Sequence, residues 1–475
     1  MRTEVAVDAA RQEVFAGLFE TCLEQYAASP LFAGIDQWVI EDNPYRRPIR
    51  PQDLGLFDFT TVLDKGQVLT GSGLMASRML LNIYESDLLF LPQGPLDAKY
   101  EDFRAFYASG VRALGEMIRP TLERHTFGFL DDEVDVSGRW SLESLRAYVE
   151  SIPELSADPP ESRALRVVRE SRHPEKAAAM YLIQFASDFL SEASAMARVV
   201  TGNYGEPQSE LFKILIDEYG YGVHDTKHST LFERLLGSLG LASTPHSYWQ
   251  FYMPSSILLT NYWHWICKNH EHFFRYLGAL YYTEASLVDV CRQQARTFRD
   301  LFGEIVDVRY FTEHVHIDMH HGRMAFEKLL VPIMEKYGAD RVGPEVVRGI
   351  EEFRLLCEIA DDDFEAQISW IDQAEEYRAR AARVHQTVAA QPGRFTTQRF
   401  VEPRDELSVT HVHDVDELCH VVDGTVRFVG GHEAGVVLEA GDSMLIPSCR
   451  LHGSIVESES CTYDITAIGD WRCVS

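Results

Sequence analysis

The stretch LSVTHVHDVDELCHVVDG, residues 407–424, decides how the chain is organised. It is a short, β-rich run closed by a glycine turn, the signature of a strand. Side chains two apart on a strand share a face, so His411 and His413 converge. Glu417 follows them, and Asp423-Gly424 reads as a hairpin turn between apolar runs. A second block, GDSMLIP at 441–447, ends five residues before His452. Two β-rich blocks broken by glycine turns predict a small all-β domain at this end of the chain.

Working outward, the character changes at QTVAAQPGRFTTQRF, residues 386–400. Before it, apolar residues recur at helical spacing, as in Phe15, Leu18, Phe19 and Cys22. Proline-marked loops interrupt this pattern near 42–51, 91–97 and 157–162. A softer boundary falls at DDEVDVSGRWS, with a fresh helix start at Ser141. The expected architecture is multidomain, α plus all-β: an N-terminal helical domain at 1–135, a central helical domain at 136–385 and a β domain at 386–475. The acidic run Asp361–Asp363 reads as a solvated helix start or loop.

Together, the blocks HxHxxxExxxxxxG and GDSMLIP-x4-His452 resemble the paired motifs of cupins, small β-barrels that hold one metal. Cys449 stands where cupins usually have Gly, and Val456 where Asn is common. The resemblance implies that His411, His413 and His452 are metal ligands, with Glu417 at the usual fourth position. Whether Glu417 ligates stays open. Three neutral imidazoles leave a divalent ion its charge and open positions, which suits non-haem iron. The competing readings are a metal-free or sugar-sensing barrel.

The central region carries carboxylates on apolar stripes. Glu192 shares a helical face with Phe185, Phe189, Met196 and Val199; Glu218 with Leu211, Ile214 and Leu215; Glu284 with Leu277, Leu280, Leu287, Val288 and Cys291. Burying one unpaired carboxylate is expensive, and three in one region point to metal. In YFTEHVHIDMHHGRM, His314, Asp318 and His321 stand at i, i+4 and i+7, within about 60° on one helix face. His316 and His320 point elsewhere, and the lone ExxH of Glu313 and His316 has no second copy. Two glycines in DEYGYGVHDTKH predict a bulge or break after Glu218, beyond which His228 could return to it. Asp225 competes by spacing.

These stretches resemble the haem-oxygenase-like di-iron oxidases over about residues 175–330. The resemblance implies a helical bundle whose Fe(II) ligands are Glu192, Glu218, His228, His314, Asp318 and His321, with Glu284 as a further carboxylate. Two Fe(II) ions would balance four carboxylates. With the cupin, the three-part order resembles the N-nitrosourea-forming metalloenzymes. That implies O2-dependent N-hydroxylation of Nω-methyl-L-arginine at Nδ and Nω′ in the di-iron domain. It further implies oxidative rearrangement to an N-nitrosourea at a mononuclear cupin iron, and an N-terminal domain that serves homodimerisation. The alternative is a di-iron oxidase of another amine, amino acid or fatty acid with the cupin as a sensor. A protein binding a tetrapyrrole or storing iron is a further alternative.

Composition bounds these readings. Hydrophobic residues make up 45% and charged residues 25% of the 475, an ordinary globular balance. Lys and Arg total 44 against 73 Asp and Glu, a formal net charge of −29. Such a surface disfavours nucleic acid and anionic membranes and attracts a cationic guanidine. The eight cysteines form no CxxC pair, so reduced cytoplasmic thiols are expected. The opening MRTEVAVDAARQEVFAGLFE lacks the apolar run of a signal peptide. SSILLTNYWHWICKNH is too short and polar to span a bilayer. No reductase or flavin motif is present, so an external electron donor is expected.

Overall fold

The computed structural model describes residues 17–391 and 393–474. Phe15 and the rest of the opening segment lie outside the described residues. Two compact units form. One holds the described residues up to Phe129 together with Glu375–Val429 and the chain from Gly435 onward. The other holds Leu130–Ala374 with Gly430–Ala434. The N-terminal region therefore shares a unit with the β domain, where the sequence suggested a separate domain.

In the first unit, α1 covers 17–27, α2 Gly71–Glu85 and α3 Ser109–Phe127. Nearly all of α2 is buried, including Arg78, Asn82 and Glu85. The β strands are β1 Thr396–Pro403, β2 Leu407–His411, β3 Asp416–Asp423, β4 Thr425–Gly431, β5 Ala434–Glu439, β6 Ser443–Ile446, β7 His452–Val456 and β8 Ser460–Gly469. They build two four-stranded sheets, ordered β1-β8-β3-β6 and β2-β7-β4-β5, so the expected barrel is a two-sheet sandwich. Asp423-Gly424 does not close a hairpin: β3 and β4 lie in different sheets, and the turn carries the chain from one to the other. Ala381 and Val384, on a helix over Ala374–Ala389, pack with Leu418, Leu445 and Ile468 of the strands.

The second unit is helical: α4 Pro174–Phe185, α5 Glu206–Glu218, α6 His228–Ser238, α7 Pro254–Lys268, α8 Phe273–Phe302, α9 Arg309–Met324 and α10 Ala339–Asp372. Ser141 caps the preceding helix Leu142–Glu150 with a capping box, as the sequence suggested. The segment read as too polar to span a bilayer is α7, and among the described residues no helix is long and apolar enough to cross a membrane. Asp361–Asp363 lie inside α10 instead of in a solvated loop. Asp363 is buried and accepts a hydrogen bond from the Ser255 backbone N–H. Asp362, one residue before it, faces solvent and pairs with Arg163.

Helices α8 and α9 approach closely where a Cβ on Gly322 would stand 3.1 Å from Ala285 Cα. That contact sets Glu284, on α8, beside His321, on α9.

Candidate metal centres

Three groups of ligand-type side chains form, and within each group the ligand atoms lie within 4.8 Å of one another. The first is Glu192, Glu218, His228 and His314. The second is Glu218, Glu284, Asp318 and His321, so Glu218 is common to both. The third is His411, His413 and His452. All ten residues singled out from the sequence fall into these groups.

The local chain explains each placement. Helix α5 stops at Glu218, and Gly220 at φ 57°, Tyr221 at φ 54° and Gly222 at φ 79° turn it back. A Cβ on Gly220 would come within 2.5 Å of the Thr226 backbone, so only glycine fits this turn. His228 then opens α6 with Nδ1 2.6 Å from Glu218 Oε2. The irregularity is a full break, and it does return His228. Asp225 is left on the outside, paired with Arg234.

Glu192 arrives differently from the expected stripe. Helix α4 ends at Phe185, and Glu192 follows a short turn with non-helical φ −42° and ψ 140°. Its Oε1 lies 3.3 Å from His314 Nε2 and accepts a hydrogen bond of 2.8 Å from the Tyr310 hydroxyl. On α9, His314, Asp318 and His321 share the buried face, while His316 and His320 are exposed.

Hydrogen bonds fix which nitrogen of each imidazole faces inward. His314 Nδ1 donates to the Tyr310 carbonyl at 2.9 Å, leaving Nε2 toward Glu192. His321 Nε2 donates to Asp217 Oδ2 at 2.9 Å. Its Nδ1 then faces Glu284 at 3.2 Å, Asp318 at 3.5 Å and Glu218 at 3.6 Å. Asp217 and Tyr310 were not anticipated. Asp217 neighbours Glu218 in sequence, and a straight-helix reading sends the two to different faces.

Several buried atoms here have no hydrogen-bond partner: Glu192 Oε2, both Asp318 oxygens and His228 Nδ1. His228 Nδ1 is close to Glu218 yet not aligned for a hydrogen bond. Buried carboxylates in such a state are costly, and a cation among them removes that cost. The donor set of carboxylates and imidazoles fits iron. Burial pushes the Asp318 carboxyl up to about 7, and the Glu284 charge adds to it. Burial opposes a charged His321, yet Glu284, Asp318 and Glu218 drive it up to about 12. His314 and His228 move upward for the same reason, chiefly through Glu192 and Glu218 respectively. Each would exchange its proton for a metal.

In the β domain, His411 on β2 stands opposite His452 on β7, and His413 follows just past the end of β2. Nδ1 of His411 donates to Val409 O and Nδ1 of His452 to Arg450 O, both at 2.9 Å. The Nε2 atoms are thereby turned toward one another, those of His411 and His413 being 3.1 Å apart. Burial drives these imidazoles down, His413 to about 4 and His452 to about 3. Glu417 Oε2 sits 3.1 Å from His413 Nε2 without a hydrogen-bond partner, and burial lifts its carboxyl to about 7. Glu417 borders the triad but is not in its close-packed ligand group. Cys449 has φ 59°, the left-handed conformation that explains the glycine usual at this position in cupins.

A cavity of about 490 Å³ opens onto Glu192, Glu218, Glu284 and His314. Away from these four residues its charged lining is mostly acidic, with Glu154, Glu161, Asp188, Asp289, Glu358 and Asp361 against Arg163 and Arg354, and Glu154, Glu161 and Asp289 are already paired with arginines. Phe185, Phe189, Trp263 and Phe353 supply apolar wall.

Comparison with known proteins assigns the class. Residues 179–355 match the family described as iron-containing redox enzymes, and 399–466 match the cupin domain family. The two helical groups fall in the first span and the histidine triad in the second. The molecule is thus an iron-containing oxidoreductase of the haem-oxygenase-like class carrying a C-terminal cupin. The nitrosourea synthase of Streptomyces achromogenes subsp. streptozoticus is 52% identical over 448 residues, covering 94% of this chain and 95% of its own. This chain belongs to the nitrosourea synthase family. A solved cupin-2 domain containing protein from Shewanella frigidimarina aligns with 16% of this chain and 72% of its own, at 23% identity and a TM-score of 0.15.

Proposed function

We propose that the chain makes an N-nitrosourea from Nω-methyl-L-arginine in two stages. The helical unit hydroxylates the guanidine at Nδ and Nω′, and the cupin site rearranges the dihydroxylated product oxidatively. The observation that carries the substrate class is the acid-rich cavity opening on the helical ligands. A guanidinium and an ammonium are held by carboxylates. The wall between these acids is largely apolar, so the excess of acids over bases among the charged residues is the feature that favours a guanidine over a fatty acid.

Two Fe(II) ions at the helical groups and one at the triad, when bound, supply O2 activation for N-oxygenation and for the final oxidation. The chain's own part is positioning. Tyr310 fixes two neighbouring ligands, through its hydroxyl on Glu192 and its carbonyl on His314. Asp217 holds His321 so that Nδ1 points at Glu284. The aromatic wall excludes water from the reacting guanidine, and Asp188 and Asp361 offer it counter-charge. At the triad, Val409 and Arg450 carbonyls hold the imidazole tautomers. Three neutral ligands leave room for a chelating N-hydroxyguanidine. Electrons come from an external donor.

The test is aerobic incubation of iron-loaded protein with reductant and Nω-methyl-L-arginine, followed by mass spectrometry. Two mass increments of one oxygen, then a nitrosourea, are expected. Turnover of a fatty acid or a different amine, with methylarginine untouched, would overturn the assignment.

A further inference from the structure

The proline-arginine stretch DNPYRRPIRP, residues 42–51, reads in the sequence only as a loop. In the structure it reaches the histidine triad. Arg50 adopts φ 58°, a left-handed conformation that costs a non-glycine residue energy. Its Nε is pinned by Asp53 Oδ2 at 2.5 Å. Its Nη1 lies 2.5 Å from His411 Nδ1, 3.1 Å from Val409 O and 3.4 Å from Ser408 Oγ. Arg50 and His411 thus direct their protons at the same carbonyl. The neighbouring Arg78 is fully buried and holds the next residue of β2, through Thr410 O at 2.7 Å and Thr410 Oγ1 at 2.9 Å. A strained backbone, an ion pair and a shared acceptor over-determine the place of this guanidinium.

We propose that Arg50 is a positioning residue of the cupin site, holding His411 and placing a permanent positive charge beside three neutral imidazoles. That charge selects anionic oxygen or nitrogen ligands for the open metal positions, such as a deprotonated N-hydroxyguanidine. The inference rests on the reading that the triad binds a metal ion. A guanidinium stays charged throughout the usable pH range, so the bias does not switch off. Asp53 holds the Nε side of the guanidinium, and Nη1 is the edge that faces His411. A second effect is orientation, since Arg50 and the Val409 carbonyl together keep His411 Nε2 facing the triad.

The test uses the full chain with Glu218→Ala, which removes the residue common to both helical groups, loaded with Co(II) and titrated with azide. The visible Co(II) bands report the triad's coordination directly. In this background, Arg50→Met is expected to keep the bands and weaken azide binding at least fivefold, while Arg50→Lys stays within twofold of the parent. Azide affinity unchanged in Arg50→Met overturns the proposal, and equal weakening in both variants reduces Arg50 to packing and also overturns it. Should Arg50→Met fail to fold, Asp53→Asn removes the carboxylate paired with the guanidinium. Tighter azide binding supports the proposal, and unchanged or looser binding overturns it. Absence of any His452-dependent Co(II) band in the parent overturns the metal reading of the triad itself, and the Arg50 inference with it.

Discussion

In the helical unit, Glu192, Glu218, Glu284 and Asp318 crowd around His228, His314 and His321. In the β domain, His411, His413 and His452 face one another with Arg50 alongside. The helical groups are mostly buried and the triad partly so, with His452 fully inside, yet burial has opposite outcomes. His321 is driven up to about 12 by carboxylates that outweigh desolvation, whereas desolvation takes His452 down to about 3 with no anion to oppose it. Four carboxylates can neutralise two divalent ions in the helical unit. The triad brings no charge of its own, so on the proposed reading an ion there would keep its full charge for an anionic chelate, while the carboxylate-rich groups would balance theirs.

The sharpest break of this comparison is Glu218→Ala. Glu218 serves both helical groups, so N-hydroxylation should fall to background. Conversion of synthetic dihydroxylated methylarginine should stay within about twofold, because that step depends on the triad. Chromatography with mass detection reads both. Loss of both activities in a well-folded variant would mean that the sites are not independent. The converse break is His452→Ala. It should accumulate hydroxylated intermediate and cut nitrosourea formation by at least about 100-fold. Nitrosourea at the original rate would remove the cupin from the mechanism.

A smaller effect is expected from Asp217→Asn, which deprives His321 of its carboxylate acceptor. Iron affinity of the helical site should drop by about 10- to 100-fold, with the triad unchanged. Competition with a chromophoric chelator measures it.

The grouped carboxylates and histidines are legible where they interrupt a period. Glu218 and Glu284 sit on apolar stripes, and His314, Asp318 and His321 share a face that the helix preserves. The HxH pair was legible because strand alternation holds locally. What stayed hidden depends on chain segments meeting across long distances. Glu192 reaches its group from a broken turn, and not from the helical stripe that the spacing suggests. Asp217 and Arg50 act through residues far away in sequence, at 321 and 411. Asp423-Gly424 looks locally like a hairpin, and only the sheet order shows that it crosses between sheets.

The gentlest probe is pH. The helical histidines are protonated in the metal-free protein near neutrality, because their proton affinities are raised; metal must displace those protons. Affinity there should rise with pH between 6 and 8, by about tenfold per unit for each proton displaced. The triad's histidines are depressed and already neutral, so its affinity should stay nearly flat across that range. Isothermal titration in buffers of different ionisation enthalpy counts the protons released. Equal slopes at the two sites would erase the electrostatic contrast.

The central claim is two separate iron sites of different nuclearity in one chain. The direct measurement is iron content after anaerobic Fe(II) loading of the full chain and of the Glu218→Ala and His452→Ala variants, read by Mössbauer spectroscopy and metal analysis. Three irons are predicted for the full chain, with Glu218→Ala losing the two helical irons and His452→Ala losing one. A full chain that never exceeds one iron, or a Glu218→Ala variant that still holds three, would contradict the account.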